Sequence, residues 1–129
     1  MFERIKKVLV LAPHTDDGEF GCGATIARFI KEGADVYYAA FSACESSVLS
    51  GFPKDILISE VKAATSVLGV KPENLILFKY DVRTFNFHRQ SILDDMIKLK
   101  KELIGLWFRM FSRIDLGDGL EQERTLGKR

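Results

Sequence analysis

The segment Pro13-His14-Thr15-Asp16-Asp17 brings an imidazole and two carboxylates together within a single short turn. Imidazole nitrogen and carboxylate oxygen are ligands that zinc takes in proteins, and a catalytic zinc site keeps one position open for water. A bound metal lowers the pKa of that water to about 7, so a second carboxylate can accept its proton at neutral pH. On a tight turn His14 and Asp17 can face the same ion, which leaves Asp16 as the candidate general base.

Other interpretations of this segment need no metal. Asp16 and Asp17 stand where a helix begins, and carboxylates are favoured there by unpaired backbone N–H groups. The spacing alone does not separate helix capping from metal binding. A nucleotide-binding loop is disfavoured, because Gly18, Gly21 and Gly23 do not follow the G-x-G-x-x-G order. These glycines fit a tight turn with close helix packing better.

The elements around the turn predict an α/β fold. Apolar runs of strand length occupy residues 8–12, 36–41 and 75–78. Residues 13–21 are expected to form a turn, and helical spacing of apolar residues follows at 24–32, 56–68 and 88–99. The resulting βαβαβα order predicts a parallel sheet with right-handed crossovers.

The same order predicts where the chemistry would take place. In parallel sheets of this kind, ligands bind at the carboxyl ends of the strands. The turn at 13–17, the polar loop at 42–53 and the polar, aromatic loop at 81–87 would all open at that edge. The candidate metal ligands therefore lie where a working crevice is expected.

Composition narrows the class of protein. The chain has 129 residues, enough for one domain, with 47% hydrophobic residues and a net charge of +1, which gives no reason to expect a nucleic-acid partner. No stretch approaches the roughly 20 apolar residues of a membrane span, and the N-terminal apolar run is too short for a signal peptide. Two cysteines, Cys22 and Cys44, form no scaffold and predict a cytoplasmic location with inert thiols.

Residues 13–27, directly after the first predicted strand, resemble the signature of the PIG-L-type (LmbE-like) N-acetylglucosaminyl deacetylases. Glu60 and the residues up to Gly69 are similar to the second helix of that family. Asp81, Arg83 and the residues from Arg89 to Leu93 are similar to the stretch that leads into its third helix. The resemblance extends over about residues 6–103.

The resemblance implies a Rossmann-like sheet that holds one zinc ion (Zn²⁺). His14 and Asp17 would bind the metal and Asp16 would act as general base. The reaction would be hydrolysis of an N-acetyl group on an amino sugar or a related conjugate. Arg83 and Glu60 are weaker candidates for substrate binding, since each also fits a solvated surface charge.

One departure from the family pattern is serious. The family's third zinc ligand is a histidine that follows a fourth strand, and nothing in this sequence matches it. The only other histidine, His88, lies at the wrong place, and we interpret it as a helix-start or surface residue. Inactivity of this chain, as a non-catalytic α/β remnant or binding module, is therefore an alternative to the hydrolase hypothesis.

The C-terminal segment suggests a reason for this departure. We expect residues 1–103 to be the N-terminal part of a deacetylase-like domain and residues 104–129 to be a divergent tail. Codons read two nucleotides later from Ile104 can encode Arg-Pro-Val-Val, which suits the family's next strand. We hypothesise a frame-shifted end that leaves the C-terminal part of the fold missing. An open sheet edge would then favour self-association.

Overall fold

The computed structural model describes residues 5–104, and it confirms the predicted α/β class. Three parallel strands form one sheet in the order β1-β2-β3. The strands are β1 (Lys7–His14), β2 (Asp35–Ser42) and β3 (Leu75–Leu77). The helices are α1 (Asp17–Lys31), α2 (Ile56–Leu68) and α3 (Arg89–Leu99). Short 3₁₀ helices span Glu45–Ser47, Pro72–Asn74 and Val82–His88, and a π-helical turn spans Lys100–Ile104.

The sheet is covered on both faces by helices. On one face Val8 and Val10 of β1 pack with Ile26 and Phe29 of α1 and with Val61 of α2, all of them buried. Burial of side chains of this size contributes about 1.5–3 kcal/mol each, so this cluster is the main support of β1. It anchors the strand that ends in His14.

The other face of the sheet carries a second, smaller core. Leu9 and Phe41 pack there with Leu99 at the end of α3. The helical spacing of apolar residues at 88–99 also predicts that Leu93 and Ile97 face inward, but these side chains are 47% and 42% exposed. That part of the prediction is wrong, because only one stripe of α3 meets the sheet.

The predicted turn at residues 13–21 is only partly correct, because the observed turn is confined to Thr15 and Asp16. The structure begins α1 at Asp17, with a kink at Cys22 (φ −151°, ψ 21°). The close helix packing that the sequence also suggested for these glycines is observed at Gly18 and, less tightly, at Gly23, but not at Gly21. A Cβ at Gly18 would lie 2.6 Å from the Tyr38 ring, and one at Gly23 would lie 3.6 Å from Leu68 of α2. Tertiary contact thus outweighs the low helix propensity of glycine.

Helix ends and strand bounds otherwise follow the sequence signals. Glycine directly after a helical apolar pattern predicts a helix end, and Gly33 after α1 and Gly69 after α2 indeed have positive φ values of 87° and 90°. In the loop after β2, the left-handed conformation falls on Cys44 (φ 54°), a residue that pays a steric cost for it.

Within residues 5–104, β1 and β3 are the two edge strands of the sheet. No helix in this range has the length and hydropathy needed to cross a bilayer. The hypothesis of a divergent or frame-shifted tail concerns residues 104–129. Of these, residues 105–129 lie outside the described part of the chain.

Candidate metal centre

The carboxyl end of β1 brings an imidazole and a carboxylate into contact. Nδ1 of His14 lies 2.8 Å from Oδ2 of Asp17. The same carboxylate oxygen accepts the backbone N–H of His14, also at 2.8 Å. The two side chains are 35% and 33% exposed, so an ion can reach them from solvent. Two potential metal donors therefore converge at the end of a buried strand.

Asp16 occupies the N-cap position of α1 without capping the helix. Its side chain makes no capping hydrogen bond and is exposed to solvent. Asp17 bonds to the backbone of His14, which belongs to β1 rather than to α1. The Asp16 side chain therefore does not cap α1, and its carboxylate is available at the surface.

The first turn of α1 is instead bonded by a tyrosine from the neighbouring strand. The hydroxyl of Tyr38 accepts the backbone N–H of Gly18 at 3.0 Å and donates to the carbonyl oxygen of Thr15 at 2.9 Å. Tyr38 is fully buried, and burial raises the pKa of its phenol to about 12. The phenol therefore stays protonated at neutral pH and keeps both bonds.

The loop after β3 contacts the imidazole of His14 through an aromatic ring. The ring of Phe85 stacks on that of His14, with centroids 5.9 Å apart and planes 8° from parallel. Phe85 is half-buried and packs against the second core. Ser46 Oγ donates to Oδ1 of Asp81 at 3.3 Å, which joins the loop after β2 to the loop after β3. The predicted meeting of three loops at this edge is observed.

The pKa values of Cys44 and Glu19 are both raised, in part by the negative charge around the site. Burial raises the pKa of the Cys44 thiol, and the carboxylates of Asp16, Asp17 and Asp81 raise it further, so the thiol stays neutral. Burial likewise raises the pKa of Glu19, with smaller contributions from Asp16 and Glu60. The edge is rich in carboxylates, which favours a bound cation.

The weaker sequence candidates lie at the periphery. Glu60 is exposed on α2 and is close enough to Glu19 to affect its titration. Arg83 is exposed, and its backbone N–H donates to Asp81 at 2.8 Å. A substrate-binding role for either residue stays a prediction. His88 is exposed at the N-cap of α3, with its ring 5.6 Å from that of Tyr80.

The donor set fits zinc in kind but not in number. An imidazole nitrogen and a carboxylate oxygen are both ordinary zinc ligands, and catalytic zinc sites have three protein ligands. Among residues 5–104, no group of three His, Cys, Asp or Glu side chains comes together. His14 and Asp17 would supply two donors, one fewer than such a site needs.

Sequence reasoning missed Tyr38 and Phe85, the two aromatic residues that hold this turn. For Tyr38 a signal existed, because a tyrosine in a strand buried on both faces needs a hydrogen-bond partner for its hydroxyl. For Phe85 the loop composition gave no sign of which ring it contacts.

Comparison with known proteins identifies relatives of this chain. Among solved structures, it is similar to the N,N'-diacetylchitobiose deacetylase from Pyrococcus horikoshii, with a TM-score of 0.66 and 26% identity over 78% of this chain. It is also similar to a conserved protein from Thermus thermophilus, with a TM-score of 0.59 and 28% identity over 72% of this chain. The matched regions cover 39% and 42% of those two proteins.

No curated protein sequence matches the chain. A family model described as PIG-L, GlcNAc-PI de-N-acetylase, matches residues 9–108, which is most of the sequence. The match includes all but the first two residues of β1, the dyad of His14 and Asp17, and every later element through α3. The chain belongs to the PIG-L family.

Proposed function

We propose that this chain binds one Zn²⁺ through His14 and Asp17 and serves in the hydrolysis of an N-acetyl group on an amino sugar or a related conjugate. The observation that carries the proposal is the 2.8 Å approach of His14 Nδ1 to Asp17 Oδ2 at the carboxyl end of β1. Membership of the PIG-L family supports the reaction class. The free thiols of Cys22 and Cys44 support a reducing, cytoplasmic location.

The chain's own residues divide the chemistry between them. His14 and Asp17 would hold a divalent ion, which when bound would supply Lewis-acid chemistry toward an amide carbonyl. Asp16, adjacent in the chain and exposed, accepts a proton from the attacking water. The water oxygen bonds to the acetyl carbon, the C–N bond breaks, and the proton held by Asp16 passes to the leaving amine nitrogen. The products are acetate and a free amino sugar.

Zinc binding tests the first half of the proposal. We expect equilibrium dialysis followed by elemental analysis to find one Zn²⁺ per wild-type chain, removable by a chelator. His14→Ala and Asp17→Asn should abolish that binding, because each removes one of two donors. Asp55→Asn is the matched control, since Asp55 is the N-cap of α2 and, like Asp16, makes no side-chain capping bond. Zinc binding that survives both dyad substitutions would refute the metal assignment.

Acetate release tests the second half. The name of the Pyrococcus protein makes N,N'-diacetylchitobiose the first substrate to try, followed by N-acetylglucosamine conjugates. Asp16→Asn should keep zinc and lower the turnover rate by about 10²–10⁴-fold, as expected for loss of a general base. An unchanged rate in Asp16→Asn would remove Asp16 from the mechanism.

A second candidate function is a non-catalytic binding module. The convergence of only two donors among residues 5–104 favours it. Folded chain that binds zinc and an N-acetylated sugar, yet releases no acetate, would support this alternative over the hydrolase.

A further inference from the structure

Tyr38 performs a task at α1 that a capping side chain normally performs. In most helices, the N-cap side chain accepts the backbone N–H of the second or third helical residue. Here α1 begins at Asp17, so its second residue is Gly18, and the N–H of Gly18 is bonded by the Tyr38 hydroxyl at 3.0 Å. The Asp16 side chain, at the N-cap itself, makes no such bond.

The same hydroxyl also holds the other side of the turn. It donates to the carbonyl oxygen of Thr15 at 2.9 Å, and Thr15 separates His14 from Asp16. One buried oxygen thus ties residue 15 to residue 18, which sets the path of the backbone that carries both carboxylates. Gly18 leaves room for the ring, since a Cβ there would approach Tyr38 to 2.6 Å.

We propose that Tyr38 is a positioning residue that caps α1 in place of Asp16, so that neither carboxylate is drawn into a capping bond and both stay in place for proton transfer and metal binding. The part that concerns metal binding rests on the function proposed above. A helix N-terminus attracts carboxylates, because its N–H groups carry partial positive charge. Without the phenol, the free N–H of Gly18 would draw the nearest carboxylate into a capping bond. Asp16 or Asp17 would then be withdrawn from the site.

A pair of adjacent tyrosines provides the test. Tyr38→Phe removes one hydroxyl and keeps the ring in the core. Tyr37→Phe is the matched control, because it removes the neighbouring hydroxyl in the same strand, whose bond is to Asp35 Oδ2. We expect Tyr38→Phe to raise the dissociation constant for Zn²⁺ about 10–100-fold, as loss of outer-shell support commonly does. It should also alter the visible spectrum of the Co²⁺-substituted protein, and Tyr37→Phe should change neither.

Stability of the metal-free protein gives a readout that does not depend on zinc. Asp16→Ala in the wild-type background should change the unfolding equilibrium constant by much less than the roughly fivefold expected for a lost cap. The same substitution in the Tyr38→Phe background should produce that loss, because the aspartate has by then become the cap. Slow hydrogen exchange of the Gly18 amide in the wild type, relative to that of Asp17, should accompany this result.

The outcomes separate the two proposals. If wild-type chain binds neither Zn²⁺ nor Co²⁺, the proposed function fails, and the capping role of Tyr38 is decided by the Asp16→Ala comparison. If zinc binds and Tyr38→Phe binds it as tightly as wild type, the positioning role is overturned while the metal site stands. If Tyr38→Phe does not fold, a fivefold loss for Asp16→Ala in the wild type, or a fast-exchanging Gly18 amide, overturns the role.

Discussion

Replacing Gly18 with alanine tests the packing that holds the candidate metal ligands. The added Cβ would lie 2.6 Å from Cε2 and Oη of Tyr38 and 2.7 Å from Cζ. Those atoms are about an ångström closer than carbon atoms at their optimal separation. The ring is fully buried and its hydroxyl holds two hydrogen bonds, so it cannot move aside without loss.

The size of the effect follows from three contributions. Overpacking of a filled site costs about 1–3 kcal/mol. Displacement of the phenol weakens two hydrogen bonds worth about 1 kcal/mol each. Alanine returns up to about 1 kcal/mol through its better helix propensity. We therefore expect Gly18→Ala to lower the free energy of unfolding by about 2–4 kcal/mol.

Gly21→Ala is the matched control for this measurement. Gly21 lies in the same helix, three residues later, and a Cβ there meets no atom within 4 Å. That variant should be as stable as wild type, or more stable by up to about 1 kcal/mol. Urea denaturation followed by far-UV circular dichroism measures both free energies. Equal stability of the two variants would refute the inference that Tyr38 is fixed in the core and holds residues 15–18 in place.

Two further predictions concern an ion pair of β2 and the ring stacked on His14. The hydrogen bond from Lys71 is the main reason that the pKa of Asp35 lies below its usual value. The stabilisation that Asp35 contributes is therefore present above its unfolded pKa of about 3.9 and is lost as the pH falls through its folded pKa. In a plot of the urea midpoint against pH, Asp35→Asn should make the decrease at acidic pH less steep than in the wild type. An unchanged decrease would contradict the assignment. Phe85→Leu should weaken zinc binding by up to about tenfold because it frees the His14 ring, whereas Phe87→Leu, at a side chain that is 80% exposed, should leave it unchanged. Equal zinc affinity in both phenylalanine variants would rule out support from the stacked ring.

Local signals in the sequence were enough to predict the order of elements. The apolar runs and the glycines at helix ends gave α2 its observed limits, Ile56 and Leu68, and gave β2 within a residue at each end. These features depend on periodicity and on positive φ, both of which are properties of short segments. The chemistry-bearing turn was also predictable, because its residue types lie together in the chain.

The start of α1 was not predictable in the same way. Gly18, Gly21 and Gly23 weaken a helix when judged locally, so a turn was expected where the structure has a helix. The reason lies in contacts with distant residues, since Tyr38 reaches Gly18 and Leu68 approaches Gly23. Such pairings depend on the finished sheet and on helix packing.

The pairing of β1 and the number of metal donors at its carboxyl end are structurally linked. Among residues 5–104, β1 is paired on one side only, by β2, and its carboxyl end carries His14. A strand added in parallel to the other side of β1 would bring its own carboxyl end beside that imidazole. A single histidine or carboxylate after such a strand would complete the three ligands of a catalytic zinc site. A segment that paired with β1 in this way, whether from this chain or another copy, would therefore decide whether the dyad of His14 and Asp17 becomes a catalytic centre.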